Sequence, residues 1–443
     1  MRSTMMVIAL ASVMACSHNK APAPGGDDSD AAPRMDLGTD ASEADASTIV
    51  DGAANASGPD AGDMGIDAVV SPDAEATGCS PEMLAACAYR PVRPASALAD
   101  TLGPLEVSYT DVTGRMRTFT YEVRIPANAE PSTPIVIWSH GGASGKDDPS
   151  RVANEFGDLM MEGGYVNIAI AHAPRPIATY EDLCRAIGQT RDVCRGGACE
   201  RDDDCTNFDG GSCAAGQCRY FKPLNWDRPH DFAALLDVIT DPESAVAAVA
   251  DVASIVYAGH SAGAGSTLMV AGAVRQYGEQ VHLLHDPRPI AFISGSPQGP
   301  EDDGFTAQSF TGDGCIRLAE DPAHCLTRPH LIMTGAGDDT TGHVAEDRRE
   351  AYVQLPEGDK YLFWNTEEAA RHTTFEHKAD ACERYDGPGA VDAARCQTYL
   401  IWSRSAILAF LDAHTRADAS ASAYLVGDSL ELLSAQALEW ESK

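Results

Sequence analysis

Residues 251–258 form a mostly apolar run that ends in Gly259-His260-Ser261-Ala262-Gly263, and residues 262–274 are then small or apolar throughout. The first stretch predicts a strand buried on both faces, the second a helix packed closely against it. Five residues must carry the chain from strand to helix. Glycines on either side of the serine permit that reversal and let the helix backbone approach the sheet. A G-x-S-x-G turn in this setting lifts the Ser261 hydroxyl above the sheet edge and sets the Ala262 N–H beside it. With 39 glycines in the chain, the bare pattern also arises as an ordinary packing turn. What favours a nucleophile is the strand before it and the small-residue helix after it.

The rest of the chain keeps the same rhythm. Residues 105–110 and 117–125 alternate apolar and polar side chains around Asp111-Val112-Thr113-Gly114, which predicts a hairpin. Apolar runs at 134–138, 165–171, 290–293, 330–334 and 361–364 read as further strands covered on both faces. Helical stretches are expected at 150–162, at 229–239, where Phe232, Leu235, Leu236 and Ile239 share a face, and at 396–414. Strands alternating with helices predict an α/β fold, its mostly parallel sheet covered by helices on both faces.

Ahead of this body, Arg2, the apolar run 5–14 and the small Ala15 have the order of an export signal, too short to span a bilayer as a permanent helix. Val13-Met14-Ala15-Cys16 resembles the lipobox of bacterial lipoproteins, which implies cleavage before Cys16 and a lipid on its thiol. An ordinary secretory signal with an incidental cysteine is the other reading. Residues 17–78 hold 13 acidic side chains against Lys20 and Arg34, with no Phe, Tyr or Trp. That is too little apolar surface to offset ordering, so a flexible tether is expected. The expected division is therefore 1–16 signal peptide, 17–78 tether and 79–443 folded domain. A net charge of −34 weighs against nucleic acid as a partner. The expected location is the bacterial cell envelope, held by the lipid on Cys16. Ser17 rather than Asp after that cysteine favours the outer membrane.

Beyond Cys16 lie twelve cysteines, an even number that suits disulfides in an oxidising compartment. Spacing suggests Cys79–Cys87, Cys315–Cys325 and Cys382–Cys396. Six more, between 184 and 218 among Gly, Asp and Arg, predict a disulfide-stapled insertion. Zinc is the competing reading for the cysteines, and calcium for Asp202-Asp203-Asp204 with Asp209. No CxxC pair and no ligand loop of known spacing is present, so no metal is expected.

A serine nucleophile needs a base, and the base an orienting carboxylate, in the chain order Ser, acid, His for a strand–turn–helix elbow. After Ser261, the strand at 330–334 ends in Gly335-Ala336-Gly337-Asp338-Asp339. Asp338 is the expected acid and Asp339 its neighbouring rival. The loop after 361–364 offers His372 as base, with His377 as the alternative. Two N–H donors must face the oxyanion. Ala262 is expected to supply one. Gly142, in Trp138-Ser139-His140-Gly141-Gly142 after an early strand, is expected to supply the other.

The set Ser139-His140-Gly141-Gly142, Arg228-Pro229-His230-Asp231, Gly259-His260-Ser261-Ala262-Gly263, Thr334-Gly335-Ala336-Gly337-Asp338-Asp339 and His372-Thr373-Thr374-Phe375 resembles predicted bacterial dienelactone hydrolases. These are similar to platelet-activating-factor acetylhydrolases and, more distantly, to polyester hydrolases. The resemblance spans roughly 105–443 apart from the cysteine-rich insertion. It implies an α/β-hydrolase fold, Ser261 as nucleophile, Asp338 as acid, His372 as base, and ester hydrolysis without a cofactor. Ala264 and the insertion depart from the pattern and leave the substrate open. The expected protein is a monomer acting on a small-molecule or lipid ester. A peptidase or amidase with the same triad, or a binding protein on a hydrolase scaffold, are the other readings.

Overall fold

The computed structural model describes residues 84–142, 156–189, 223–277, 280–300, 304–340, 343–377 and 393–443, with Cys79, 148–149, Cys194, 198–201, 212–214 and 216–219. The expected export signal, Cys16 and tether lie outside these residues, as do Asp202-Asp203-Asp204, Asp209, Cys205 and Cys382.

The strands, in chain order, are β1 (Leu98–Thr110), β2 (Met116–Pro126), β3 (Pro134–Ser139), β4 (Val166–Ala171), β5 (Ser212–Ala214), β6 (Gln217–Arg219), β7 (Asp251–His260), β8 (Arg275–Tyr277), β9 (Gln280–His282), β10 (Ala291–Gly295), β11 (His330–Gly335), β12 (Lys360–Asn365) and β13 (Leu438–Ser442). Nine of them build one sheet in the order β1-β2-β4-β3-β7-β10-β11-β12-β13. The pairs from β4–β3 to β11–β12 are parallel. β1–β2, β2–β4 and β12–β13 are antiparallel. The protein is thus α/β with a mostly parallel sheet.

Why the central strands read as unbroken apolar runs is plain from their two faces. Along β3, Ile135 and Ile137 enter one core, with Ile168, Ile255, Tyr257 and Leu362. Val136 and Trp138 enter the opposite one, with Ala169, Val256, Ile293 and Phe363. Helices cover both faces. Pro223–Ile239, Ala262–Ala271 and Ala345–Gln354 pack on the first core, where Phe232 stacks on Tyr257 at 3.8 Å between ring centroids. Phe156–Gly163 and Ala393–Thr415 pack on the second, where Phe156 stacks on Trp138 at 4.1 Å. Each such fully buried side chain contributes roughly 1.5–3 kcal/mol relative to an exposed one.

Several boundaries differ from expectation. The helix expected to start at residue 229 starts at Pro223 and carries Pro229 inside it. Proline is favourable at a first helical position, whereas within a helix it removes one backbone hydrogen bond and crowds the carbonyl four residues earlier, so Pro229 reads locally as a helix start. β13 is unforeseen. Its sequence, Leu438-Glu439-Trp440-Glu441-Ser442, turns two glutamates outward on an edge strand, so it lacks the apolar run of the central strands.

Disulfides join Cys79–Cys87, Cys184–Cys194, Cys199–Cys213 and Cys315–Cys325, and Cys218 and Cys396 are also disulfide-bonded. Within the insertion the sulfurs themselves fill space. Cys184, Cys194, Cys199 and Cys218 are buried with Leu183, Ile187, Trp226 and Tyr277 in a small separate core. Replacing both Cys315 and Cys325 with Ala is expected to lower stability by about 2–4 kcal/mol in urea unfolding. Iodoacetamide applied to denatured, unreduced protein is expected to leave Cys184, Cys194, Cys199 and Cys213 unlabelled. Alkylation at those positions would count against the pairing.

Candidate active site

Parallel strands deliver their carboxyl ends to one edge of the sheet, where the loops of an open α/β sheet form sites. Here β3 ends at Ser139, β7 at His260, β10 at Gly295, β11 at Gly335 and β12 at Asn365. Register keeps these ends level: Ser139 lies opposite Gly259, His260 opposite Gly295, and Gly335 opposite Asn365.

At the end of β7 the chain reverses at Ser261, whose φ is 53° and ψ −117°. Such a conformation is costly for a residue with a side chain and persists where its surroundings over-determine it. Two contacts do so. The Ser261 N–H donates to the Gly295 carbonyl at 2.9 Å, and a Cβ on Gly263 would fall inside the Ser139 carbonyl. Glycine at 263 therefore lets the helix start lie directly against the end of β3. The first N–H groups of helix Ala262–Ala271, beginning with Ala262, have no acceptor within the helix.

Two loops further along the edge, His372 and Asp338 meet. The Asp338 Oδ1 accepts from His372 Nδ1 at 2.8 Å, and its Oδ2 accepts from the Thr334 hydroxyl at 2.8 Å. Arg348 Nε lies 3.2 Å from Oδ1 and also donates to the Asp338 carbonyl at 2.9 Å. Burial alone would raise the Asp338 carboxyl, but the His372 hydrogen bond and the Arg348 charge hold it below its ordinary value. A carboxylate only accepts, so His372 Nδ1 carries the proton, which in the neutral imidazole makes Nε2 the acceptor. The Asp338 side chain is fully buried, whereas that of His372 is 20% exposed. The His372 backbone is held in turn, its carbonyl accepting from His260 Nε2 at 2.8 Å and from the Ser296 hydroxyl at 3.4 Å.

The neighbouring candidates stand elsewhere. Asp339 accepts from the Ala345 N–H at 2.9 Å at the start of helix Ala345–Gln354. His377 is buried with φ 58° and packs edge-on against Phe156 at 5.9 Å.

The loop after β3 runs beside the elbow. A Cβ on Gly141 would come within 2.9 Å of His260 Nδ1 and 3.4 Å of Ser261 Cβ, so glycine is what permits this approach. At Gly142 a Cβ would lie 3.6 Å from that of Ala262. From behind, Arg228 donates to the carbonyls of His140 and Gly141 and to the Ser139 hydroxyl. Burial lowers the Arg228 guanidinium to about 10.

A second Ser–His–Asp array lies under this loop. Ser139 Oγ is 2.9 Å from His172 Nε2, and His172 Nδ1 is 2.8 Å from Asp231 Oδ2. Asp231 also accepts from Arg117 Nε and Nη2 and from the Tyr109 hydroxyl. Burial alone would raise the Asp231 carboxyl, but Arg117 and His172 hold it down at about 2. Burial and the Arg228 charge lower His172 to about 4, so it is neutral. All three residues are buried. This array, Arg348 and the positioning contact of His260 escape the sequence reading. Their partners come from elements distant in sequence, and only the Arg228–Asp231 motif hinted at them.

Among the described residues, no group of three or more His, Cys, Asp or Glu side chains is arranged to hold a metal ion. No known protein-family model and no curated protein matches the chain.

His172, His260 and His377 share one consequence. Burial is the leading cause of each depression, to about 4, about 3 and about 4. An unfolded histidine titrates near 6.5, so below that pH the unfolded chain binds more protons than the folded one. Stability is therefore fully present above about pH 6.5 and falls as pH drops toward 4. Melting temperature is expected to decrease between pH 7 and pH 4.5, and less steeply in His377→Asn. An equal slope in the two proteins would contradict this account.

Proposed function

We propose that this protein is a serine hydrolase of the α/β-hydrolase fold that cleaves carboxylic esters through an acyl-enzyme. The observation that carries the reading is the strained Ser261 at a strand-to-helix turn, with the buried Asp338 and the partly exposed His372 paired on the same sheet edge. The chain order Ser, Asp, His and the elbow context support the same class.

In this reading His372 Nε2 takes the Ser261 proton while Oγ attacks the ester carbonyl. The carbonyl electron pair moves to oxygen, where the N–H groups of Ala262 and Gly142 receive it. Asp338 keeps His372 in the tautomer that accepts at Nε2 and stabilises the imidazolium that forms. Collapse of the tetrahedral species breaks the bond to the alcohol, which leaves with the proton from His372. Water then repeats the sequence on the acyl-enzyme and frees Ser261. We further propose export with lipid attachment at Cys16, a reading supported by the lipobox-like residues and the disulfide-bonded cysteines.

Residues 79–443 are expected to hydrolyse short-chain p-nitrophenyl esters and to take up a fluorophosphonate on Ser261. Ser261→Ala is expected to abolish labelling and lower kcat by at least about three orders of magnitude. Asp338→Asn should lower kcat by a comparable factor, because the amide orients the wrong tautomer. An unchanged kcat in Ser261→Ala would falsify the reading. Palmitate-analogue labelling of the full chain that persists in Cys16→Ser would defeat the lipid attachment.

A further inference from the structure

We propose that Arg228 is a positioning residue that builds the oxyanion hole from behind, by gripping the peptide units that carry the Gly141 and Gly142 N–H groups. The role rests on the hydrolase reading and extends it to a residue that touches no reacting atom.

The hydrogen bonds of Arg228 go to two carbonyls and one hydroxyl rather than to a carboxylate: Nη1 to the His140 carbonyl, Nη1 to Ser139 Oγ at 3.2 Å, and Nη2 to the Gly141 carbonyl at 3.4 Å. A buried guanidinium held this way keeps its full positive charge beside the loop. In a trans peptide the C=O and the following N–H point in opposite directions. The His140 carbonyl shares its plane with the Gly141 N–H, and the Gly141 carbonyl with the Gly142 N–H. Drawing both carbonyls onto Arg228 turns both N–H groups away from it. A cation on a carbonyl oxygen also polarises the peptide and strengthens its N–H as a donor. Gly141 and Gly142 flank Ser261 and Ala262 at close range, so the strengthened donors belong to the loop beside the attacked carbonyl.

Two further groups hold the grip. His140 Nδ1 donates to the Gly141 carbonyl at 2.6 Å. Ser139 Oγ accepts from Arg228 and donates to His172 Nε2, while His172 Nδ1 donates to Asp231. Arg228 donates into this chain, and the Ser139, His172 and Asp231 side chains are all buried, so the array serves here as a brace rather than as a nucleophile.

The test compares wild type, Arg228→Lys, Arg228→Gln and Ser139→Ala, with kcat expressed per fluorophosphonate-titrated Ser261 so that only folded sites count. p-Nitrophenyl acetate is the substrate. Trifluoroacetone is the probe of the oxyanion: Ser261 Oγ bonds to its carbonyl carbon, the π pair moves to oxygen, and the serine proton passes to His372. Both Arg228 variants are expected to lose about tenfold to hundredfold in kcat, somewhat less than loss of a donor itself. KM should stay within about twofold, and the inhibition constant of trifluoroacetone should rise by the same factor as kcat falls. The pH midpoint of kcat/KM should not move, because the His372–Asp338 pair is untouched. Ser139→Ala, which keeps the Arg228 charge and both of its carbonyl contacts but loses the hydroxyl that links it to His172, should show a smaller fall of the same kind. It supplies the comparison if the Arg228 variants yield no titratable protein. Labelled wild type with kcat per site unchanged in the variants, or with the loss confined to KM, overturns the role of Arg228 alone. Wild type that takes no fluorophosphonate on Ser261 overturns the hydrolase reading and this role with it.

Discussion

The reversal of the chain at Ser261 is the constraint on which the rest of the sheet edge depends. β7 lies between two parallel neighbours, β3 and β10, so the chain has no lateral room in which to turn. It must fold back over the sheet within a few residues, which requires a positive φ at the apex. That geometry costs of order 1–3 kcal/mol. The cost is offset by what the reversal brings into contact: the helix backbone at Gly263 against the end of β3, and the Ser261 N–H on the end of β10. The loop through Gly141 is thereby laid beside the apex. A looser turn would separate all of these groups at once.

Two chemically similar arrays of Ser, His and Asp share this edge and differ in what surrounds them. In one, His372 reaches solvent and its acid is held by a threonine hydroxyl and the Arg348 guanidinium. In the other, the acid is bound by Arg117 and Tyr109, the histidine is neutral, and no member is open to water. Buried ions are tolerated only where each donor finds an acceptor. The second array meets that demand by a single direction of donation, and its burial keeps it away from a proton donor outside. On the proposed hydrolase reading, exposure and backbone strain set Ser261 apart as the reactive serine and Ser139 as the structural one.

Much of this edge was legible in the sequence because its strands are buried on both faces. Runs such as Ile135-Val136-Ile137-Trp138 carry no polar residue to blur them, and the glycines at 259 and 263 mark the turn between layers. β13 was not legible, since an edge strand with one wet face shows only Leu438 and Trp440 in alternation with glutamates. The choice between Asp338 and Asp339 was beyond any one-dimensional reading. Both follow the same strand, and only the loop's path directs one towards His372 and the other to the start of a helix. His172 and Asp231 were hidden for a related reason. One follows the last residue of β4 and the other lies within a helix, and nothing local signals that their side chains meet.

The disulfides carry a consequence for how the chain acquires its order. The four joined pairs are separated by 8, 10, 14 and 10 residues, and none ties one sheet strand to another. Loops of about ten residues close in roughly 10–100 ns, and closure entropy rises only slowly with length. Partner thiols therefore meet by local diffusion, whereas β3 and β7 must be brought together across a long intervening segment. Oxidation and sheet assembly are separable events. The four described clasps each order a local segment, and no strand of the central sheet carries a cysteine.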